Sequence, residues 1–249
     1  MSLWRSTAAK LPLALALLAL AAPACGAPPA PQAPSFARTV DLSHVVREDM
    51  PRLPGEPPTR LLRAPDGALQ QLQLGAATGS LLRVTAAPGA DLSDVEGLSP
   101  RDLVLPAVVI DARDRAQDTP GFALSAADVR AWEQHYGPIP PGSLVLLATG
   151  WDLRWGDAQA YLGLTGQGTP RTPGFGADAV DLLLNQRDVL ALGLDAPSLS
   201  AVPASGFCLL LENLTNLEQL PPTGATVVIG ALKLQRAQSS PARVLALIP

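Results

Sequence analysis

Val40-Asp41-Leu42-Ser43-His44, followed by Met50-Pro51-Arg52-Leu53-Pro54-Gly55, opens the part of the chain whose organisation is legible. Three further stretches stand downstream in order: Thr149-Gly150-Trp151, Leu211-Glu212-Asn213-Leu214-Thr215-Asn216-Leu217, and Ser240-Pro241-Ala242-Arg243-Val244. Each adjoins a strand-like run. Residues 38–42 read as a first strand, and 144–148 form a continuous apolar run that delivers the chain into Thr149-Gly150-Trp151. Residues 208–211, 226–234 and 243–248 are similar runs.

Between them, Leu69, Leu72 and Leu74 alternate loosely with glutamines, as a half-exposed strand would, and residues 80–84 follow as another strand. Residues 103–110 are nearly all apolar and end at Asp111, and residues 189–194 end in the same way at Asp195. Ser125-Ala126-Ala127-Asp128 is a capping box that opens a helix to about Tyr136, where Gly137-Pro138 stops it. A second helix is expected over 176–185. Strands interleaved with a few helices make the chain α/β or α+β.

The stretch that completes the pattern is Ala77-Thr78-Gly79-Ser80-Leu81-Leu82-Arg83-Val84-Thr85-Ala86-Ala87. With the segments around it, the chain resembles the cyclase family that includes bacterial kynurenine formamidase and isatin hydrolase, over about residues 38–249. The resemblance implies a single α/β domain of the swivelling β/β/α type. It also implies a divalent metal, zinc or manganese, held by the signature H-x-G-T-H-x-D-x-P-x-H. Such an ion lowers the pKa of bound water from about 15.7 to about 7, for attack on an amide or cyclic-amide carbonyl. Here Gly79 is kept and Ser80 stands for threonine, but the histidine positions hold Ala77, Leu81 and Ala87, and the aspartate position holds Arg83. A further family histidine falls about twelve residues before the glutamate of Glu212-Asn213-Leu214, and counting back lands on Ser200. Glu212 is the one member of that ligand set retained, and one carboxylate does not hold a catalytic metal.

The expectation is therefore a family scaffold with no metal cofactor. Its vestigial pocket would be built from Ala77, Ser80, Leu81, Arg83 and Ala87, with Trp151 of the Thr-Gly-Trp segment, Ser200 and Glu212. Arg83 shares a strand face with Leu81, so it is expected to turn into this pocket and pair with Glu212; the other reading has it pointing to solvent. Such a protein would bind a small molecule or a partner. An active amide or cyclic-amide hydrolase with a non-standard site is the alternative, and a surface-tethered structural protein with a closed pocket is a third. The resemblance also makes a homodimer the default assembly.

Composition narrows the rest. The 249 residues are 47% hydrophobic and 16% charged, with net charge −4. That is enough for one domain with a real core. Lysine and arginine are scattered singly, so no nucleic-acid partner is expected. The only histidines are His44 and His135, which excludes a site of three imidazoles. Ser43 and His44 point to opposite faces of an extended chain, so no Ser-His-Asp triad with Asp41 is expected and His44 reads as structural. His135 reads as a helix-end residue. Asp91, Asp94 and Glu96 read as a solvated loop and cap near Ser93, Trp155 as packing, and Tyr161 with the tryptophans as a possible aromatic wall.

Residues 1–24 read as a signal peptide, with Arg5 and Lys10 ahead of the apolar run 11–22 and a small-residue site at Ala22-Pro23-Ala24. Cys25-Gly26 then resembles a bacterial lipoprotein site, with Cys25 lipidated, and residues 25–37 form a Pro/Ala-rich tether. The expectation is an exported protein, membrane-anchored only through that lipid or else secreted or periplasmic. An uncleaved anchor is the remaining alternative. Cys208 then has no intrachain partner and reads as a buried small hydrophobe. Asn213-Leu214-Thr215 has the form of a glycosylation sequon, discounted because the leader is bacterial in type.

Overall fold

The computed structural model describes residues 36–86, 94–119, 121–163, 171–197 and 207–249. The leader, Cys25, most of the tether, Ala87, Asp91, Ser93 and Ser200 lie outside the described residues. The elements run β1 (Arg38–Asp41), β2 (Arg60–Arg63), β3 (Leu69–Gln73), β4 (Leu81–Thr85), β5 (Val104–Asp111), α1 (Arg113–Asp118), β6 (Ala123–Leu124) and α2 (Ala126–Tyr136). They continue with β7 (Leu144–Ala148), α3 (Ala158–Tyr161), β8 (Gly174–Phe175), α4 (Ala177–Asp181), β9 (Ala191–Leu194), β10 (Cys208–Glu212), β11 (Ala225–Ala231) and β12 (Ser239–Ile248).

The main sheet has the order β1-β12-β11-β5-β7-β9-β10-β4, and β4 pairs back onto β12, which closes a barrel and leaves β1 on the rim of β12. β5, β7, β9 and β10 are mutually parallel. The long β12 makes the closure: Ser239 to Pro241 pair with β4, and the residues after them pair with β11 and β1.

Closure explains the apolar runs. A strand in a covered barrel is buried on both faces, so its sequence is nearly continuous in hydrophobicity. Leu82, Val84, Leu144, Leu146, Leu209, Leu211, Val227 and Val244 fill the interior. The alternate residues Val145, Leu147, Leu192, Leu194 and Leu210 face outward into a second core shared with Val129 and Trp132 of α2 and Val180 of α4. Gly193 is required by this packing: a Cβ there would lie 2.7 Å from Leu146 Cδ2 and 3.3 Å from Leu211 Cβ.

The capping box of α2 forms as expected, with Asp128 N–H donating to Ser125 Oγ and Ser125 N–H donating to the Asp128 carboxylate. Several expectations shift. The second helix is α4 followed by a π-helical turn, Leu182–Gln186. β11 ends at Ala231, and β12 begins at Ser239, before the expected Arg243. The strand expected around Leu69 is exposed along its whole length, because it pairs only with β2 in a separate hairpin. One residue ahead of β1, Ala37 N–H donates to the Ile248 carbonyl at 2.9 Å.

Candidate functional site

The chemistry-bearing residues gather where β7, β9 and β10 reach their carboxyl ends and the antiparallel β4 begins, the edge at which open α/β sheets commonly hold ligands. Leu81 lies directly across from Glu212, and Arg83 across from Leu210. Side chains two apart on a strand share a face, so Leu81, Arg83 and Glu212 all project outward from the barrel. Leu81 is fully buried and Ala77 half-buried.

Arg83 turns back along this face to Glu212. Its Nη2 lies 3.0 Å and its Nε 3.4 Å from the same oxygen, Oε2. The Glu212 side chain is 4% exposed and that of Arg83 32%. The buried carboxylate thus has its counter-charge, while the guanidinium keeps a solvent-facing edge: Nη1 makes no hydrogen bond to the protein among the described residues.

Behind the pair lies a polar junction. Ser80 Oγ accepts the His44 backbone N–H at 2.9 Å and donates to the Asn213 carbonyl at 2.6 Å. Asn213 adopts a left-handed backbone, φ 57°. Its Nδ2 donates to the Gly79 carbonyl, and its Oδ1 accepts the Tyr161 hydroxyl at 2.9 Å. Burial, with Asp195, Asp152 and Glu212 adding to it, pushes the Tyr161 hydroxyl well above its ordinary range, so it is a permanent donor. The sequon reading of Asn213 has no physical room: the side chain is buried and both of its ends are engaged.

The aromatic side of the site is His44, Trp155 and Tyr161. The His44 ring stacks on Trp155 with centroids 3.9 Å apart and planes within 4°. Trp155 in turn meets Tyr161 edge-on at 4.8 Å. Burial pulls the imidazole pKa down to about 4, outweighing the Leu214 backbone, which favours the protonated form, so the ring is neutral. Its Nε2 is buried with no partner. Ser43 Oγ faces Val244 and takes no part in this group. Trp151 is buried, with Nε1 donating to the Tyr161 carbonyl and one face covered by the Arg154 guanidinium, so it supports the site from behind.

Asp195 ends β9 as a buried carboxylate. It accepts the Thr149 N–H at 2.8 Å, the Gly150 N–H at 2.7 Å and the Thr149 hydroxyl. Burial outweighs these donors and pushes its pKa up to about 6. The Thr-Gly-Trp segment is thereby pinned to the end of β9. His135 is exposed against Tyr136, away from this group.

The model of the family described as "Putative cyclase" matches residues 40–201. The chain belongs to the cyclase family. It is 35% identical over 176 residues to an isatin hydrolase of Roseibium aggregatum, a match spanning 65% of this chain and 66% of that protein, a little under two thirds of its length. Among solved structures, isatin hydrolase A from Ralstonia solanacearum is 28% identical with a TM-score of 0.75, covering 85% of this chain and 92% of its own. An isatin hydrolase bound to the product analogue thioisatinate is 30% identical with a TM-score of 0.74, covering 85% of this chain and 92% of its own.

The cyclase family's metal does not fit the residues described here. Of the positions that the resemblance gives to the metal, Ala77 and Leu81 carry hydrocarbon and Arg83 a cation, and Glu212 is engaged by that cation. Among the described residues no group of three or more His, Cys, Asp or Glu side chains could hold an ion.

Sequence reasoning singled out Arg83 and Glu212 but passed over Asn213, Asp195 and the role of His44. Asn213 adjoins Glu212 and Asp195 terminates a strand, and those positions were the available signals.

Proposed function

We propose that this chain is a cyclase-family protein without the family's metal chemistry, which binds a flat aromatic small molecule at the Arg83–Glu212 site. One observation carries the reading: a guanidinium lies 3.0 Å from the glutamate that the family resemblance makes a metal ligand. The pair is electrically closed, so Glu212 needs no ion to be stable where it is buried. The solved relatives hold aromatic compounds, thioisatinate in one and benzyl benzoate in another. Here the buried Trp155–His44 stack is the aromatic side of the site.

The leader and Cys25 support an exported, lipid-anchored form, testable by mass spectrometry of the mature N-terminus. The functional test uses purified full chain. Elemental analysis should find no stoichiometric zinc or manganese, added metal should give no hydrolysis of isatin or N-formylkynurenine, and isatin should raise the melting temperature. Chelator-sensitive turnover would overturn the reading in favour of an active hydrolase.

A further inference from the structure

We propose that the cavity between α1 and the turn after β7 is a second binding site, which takes a small organic monocarboxylate with an apolar body. The cavity encloses about 500 Å³. It opens where the parallel strands β5 and β7 reach their carboxyl ends. Arg113, Ala116 and Gln117 line it from α1, and Gly150, Leu153 and Arg154 line it from the turn. Neither Arg83 nor Glu212 reaches it. The wall is held from the buried side, where Asp195 accepts the Thr149 and Gly150 N–H groups.

Arg154 sets the charge of the ligand. Its Cζ lies 3.8 Å from the centre of the Trp151 ring. The N–H groups of a guanidinium lie in its own plane, so an aromatic face beneath it uses none of them, and the fork stays matched to a carboxylate. The Arg154 side chain makes no hydrogen bond or ion pair to any described residue. Its platform is fixed, because Trp151 is buried and its Nε1 donates to the Tyr161 carbonyl at 2.7 Å. A cation already placed on a rigid support loses less freedom when it binds an anion. Arg113 is different: its Nε and Nη2 donate to the Asp111 carboxylate at 2.9 and 2.7 Å, which matches its charge. Asp114 also lines the cavity, so a polyanion would be repelled there, whereas a single carboxylate needs only Arg154. The apolar body follows from Leu153, which is 88% exposed beside Arg154 and would lose water under a ligand seated in the cavity.

Benzoate and benzamide, one ring with and without the charge, are the probes. They are titrated into the full chain while nitrogen-15 NMR follows the Gly150 amide and the Trp151 indole N–H. Benzoate should move both signals to saturation with a dissociation constant on the order of 1 mM, and benzamide should bind at least about fivefold more weakly. Arg154→Gln should weaken benzoate at least about fivefold, and Arg154→Lys by less, because lysine keeps the charge without the fork. Arg130→Gln, which changes an exposed arginine of α2 outside this cavity, should leave benzoate affinity unchanged. Equal affinity for the two probes, no saturable shift at Gly150, or full benzoate affinity in Arg154→Gln would each overturn the second site. Arg83→Leu distinguishes it from the site proposed above. Benzoate binding lost in Arg83→Leu but kept in Arg154→Gln would put the carboxylate at the Arg83–Glu212 pair and overturn the second site, while isatin binding there is read separately and stands or falls on its own.

Discussion

Arg83 and Glu212 meet across β4 and β10, with Nη2 3.0 Å from Oε2, although their Cα positions are out of register by two residues. The long guanidinium stem spans the offset. Leu81, the direct partner of Glu212, has no charge to offer, so the counter-charge comes from the next outward position along the strand.

The pair's worth is best read from a cycle. Arg83→Ala takes the guanidinium away from a buried carboxylate, whereas Arg83→Leu with Glu212→Gln removes both charges and keeps volume. Urea unfolding should show Arg83→Ala less stable than the wild type by about 2 kcal/mol, below the full cost of breaking a buried pair because Arg83 is 32% exposed. The double variant should recover at least half of that loss. A double variant as unstable as the single one would mean the carboxylate does not depend on Arg83.

Rebuilding the signature should not rebuild the enzyme. With Ala77→His, Leu81→His, Arg83→Asp and Ala87→His together, the histidine that the family places at the position of Ser200 is still absent. Zinc affinity by calorimetric titration should rise from undetectable, yet remain at least about tenfold weaker than in the fivefold variant that adds Ser200→His. Full isatin hydrolysis by the fourfold variant would show that Ser200 has been assigned wrongly.

The readable parts of the fold are those where local and tertiary demands agree. Leu144–Ala148 is apolar at every position because a parallel barrel strand is buried on both faces, and Ser125 and Asp128 cap α2 through their own side chains. By contrast α1 has no side-chain cap, and Arg60–Arg63 is a short run whose strand character depends on pairing with Leu69–Gln73. In the site, Arg83 with Glu212 was legible from strand alternation and charge. His44 on Trp155, and Tyr161 on Asn213, were not, since nothing local announces a stack or a hydrogen bond across such separations.

Two buried groups should oppose each other's pH dependence. His44 has a pKa near 4 instead of 6.5, so below pH 6.5 the unfolded chain takes up a proton the native state refuses; its stabilisation is complete above 6.5 and is lost as pH falls towards 4. Asp195 has a pKa near 6 instead of 3.8, so its contribution is complete below 3.8 and is lost as pH rises towards 6. Each slope is at most about 1.4 kcal/mol per pH unit, and smaller for the half-exposed His44. Between pH 4.5 and 6 the wild type should be nearly flat in stability. His44→Phe should lose stability as pH rises through this window, and Asp195→Asn should gain it, by chemical denaturation at each pH. Parallel profiles for all three proteins would remove both groups as the cause.

The junction behind the ion pair makes the last prediction. Asn213 joins Tyr161, Gly79 and Ser80 through its side chain and carbonyl, and it does so from a left-handed backbone that asparagine tolerates better than most residues. Tyr161→Phe removes one donor and leaves Asn213 Oδ1 buried without it, at a cost of about 1–3 kcal/mol. Asn213→Ala removes both side-chain bonds and places alanine at positive φ, which should cost more than Tyr161→Phe. Because the two residues share one bond, the double variant should be less destabilised than the sum of the singles, by about 1 kcal/mol in denaturant unfolding. Strict additivity would mean that the Tyr161 hydroxyl satisfies itself through its longer contact with the Asp195 carbonyl, 3.3 Å away, and that Asn213 holds the β10–β4 end of the site alone.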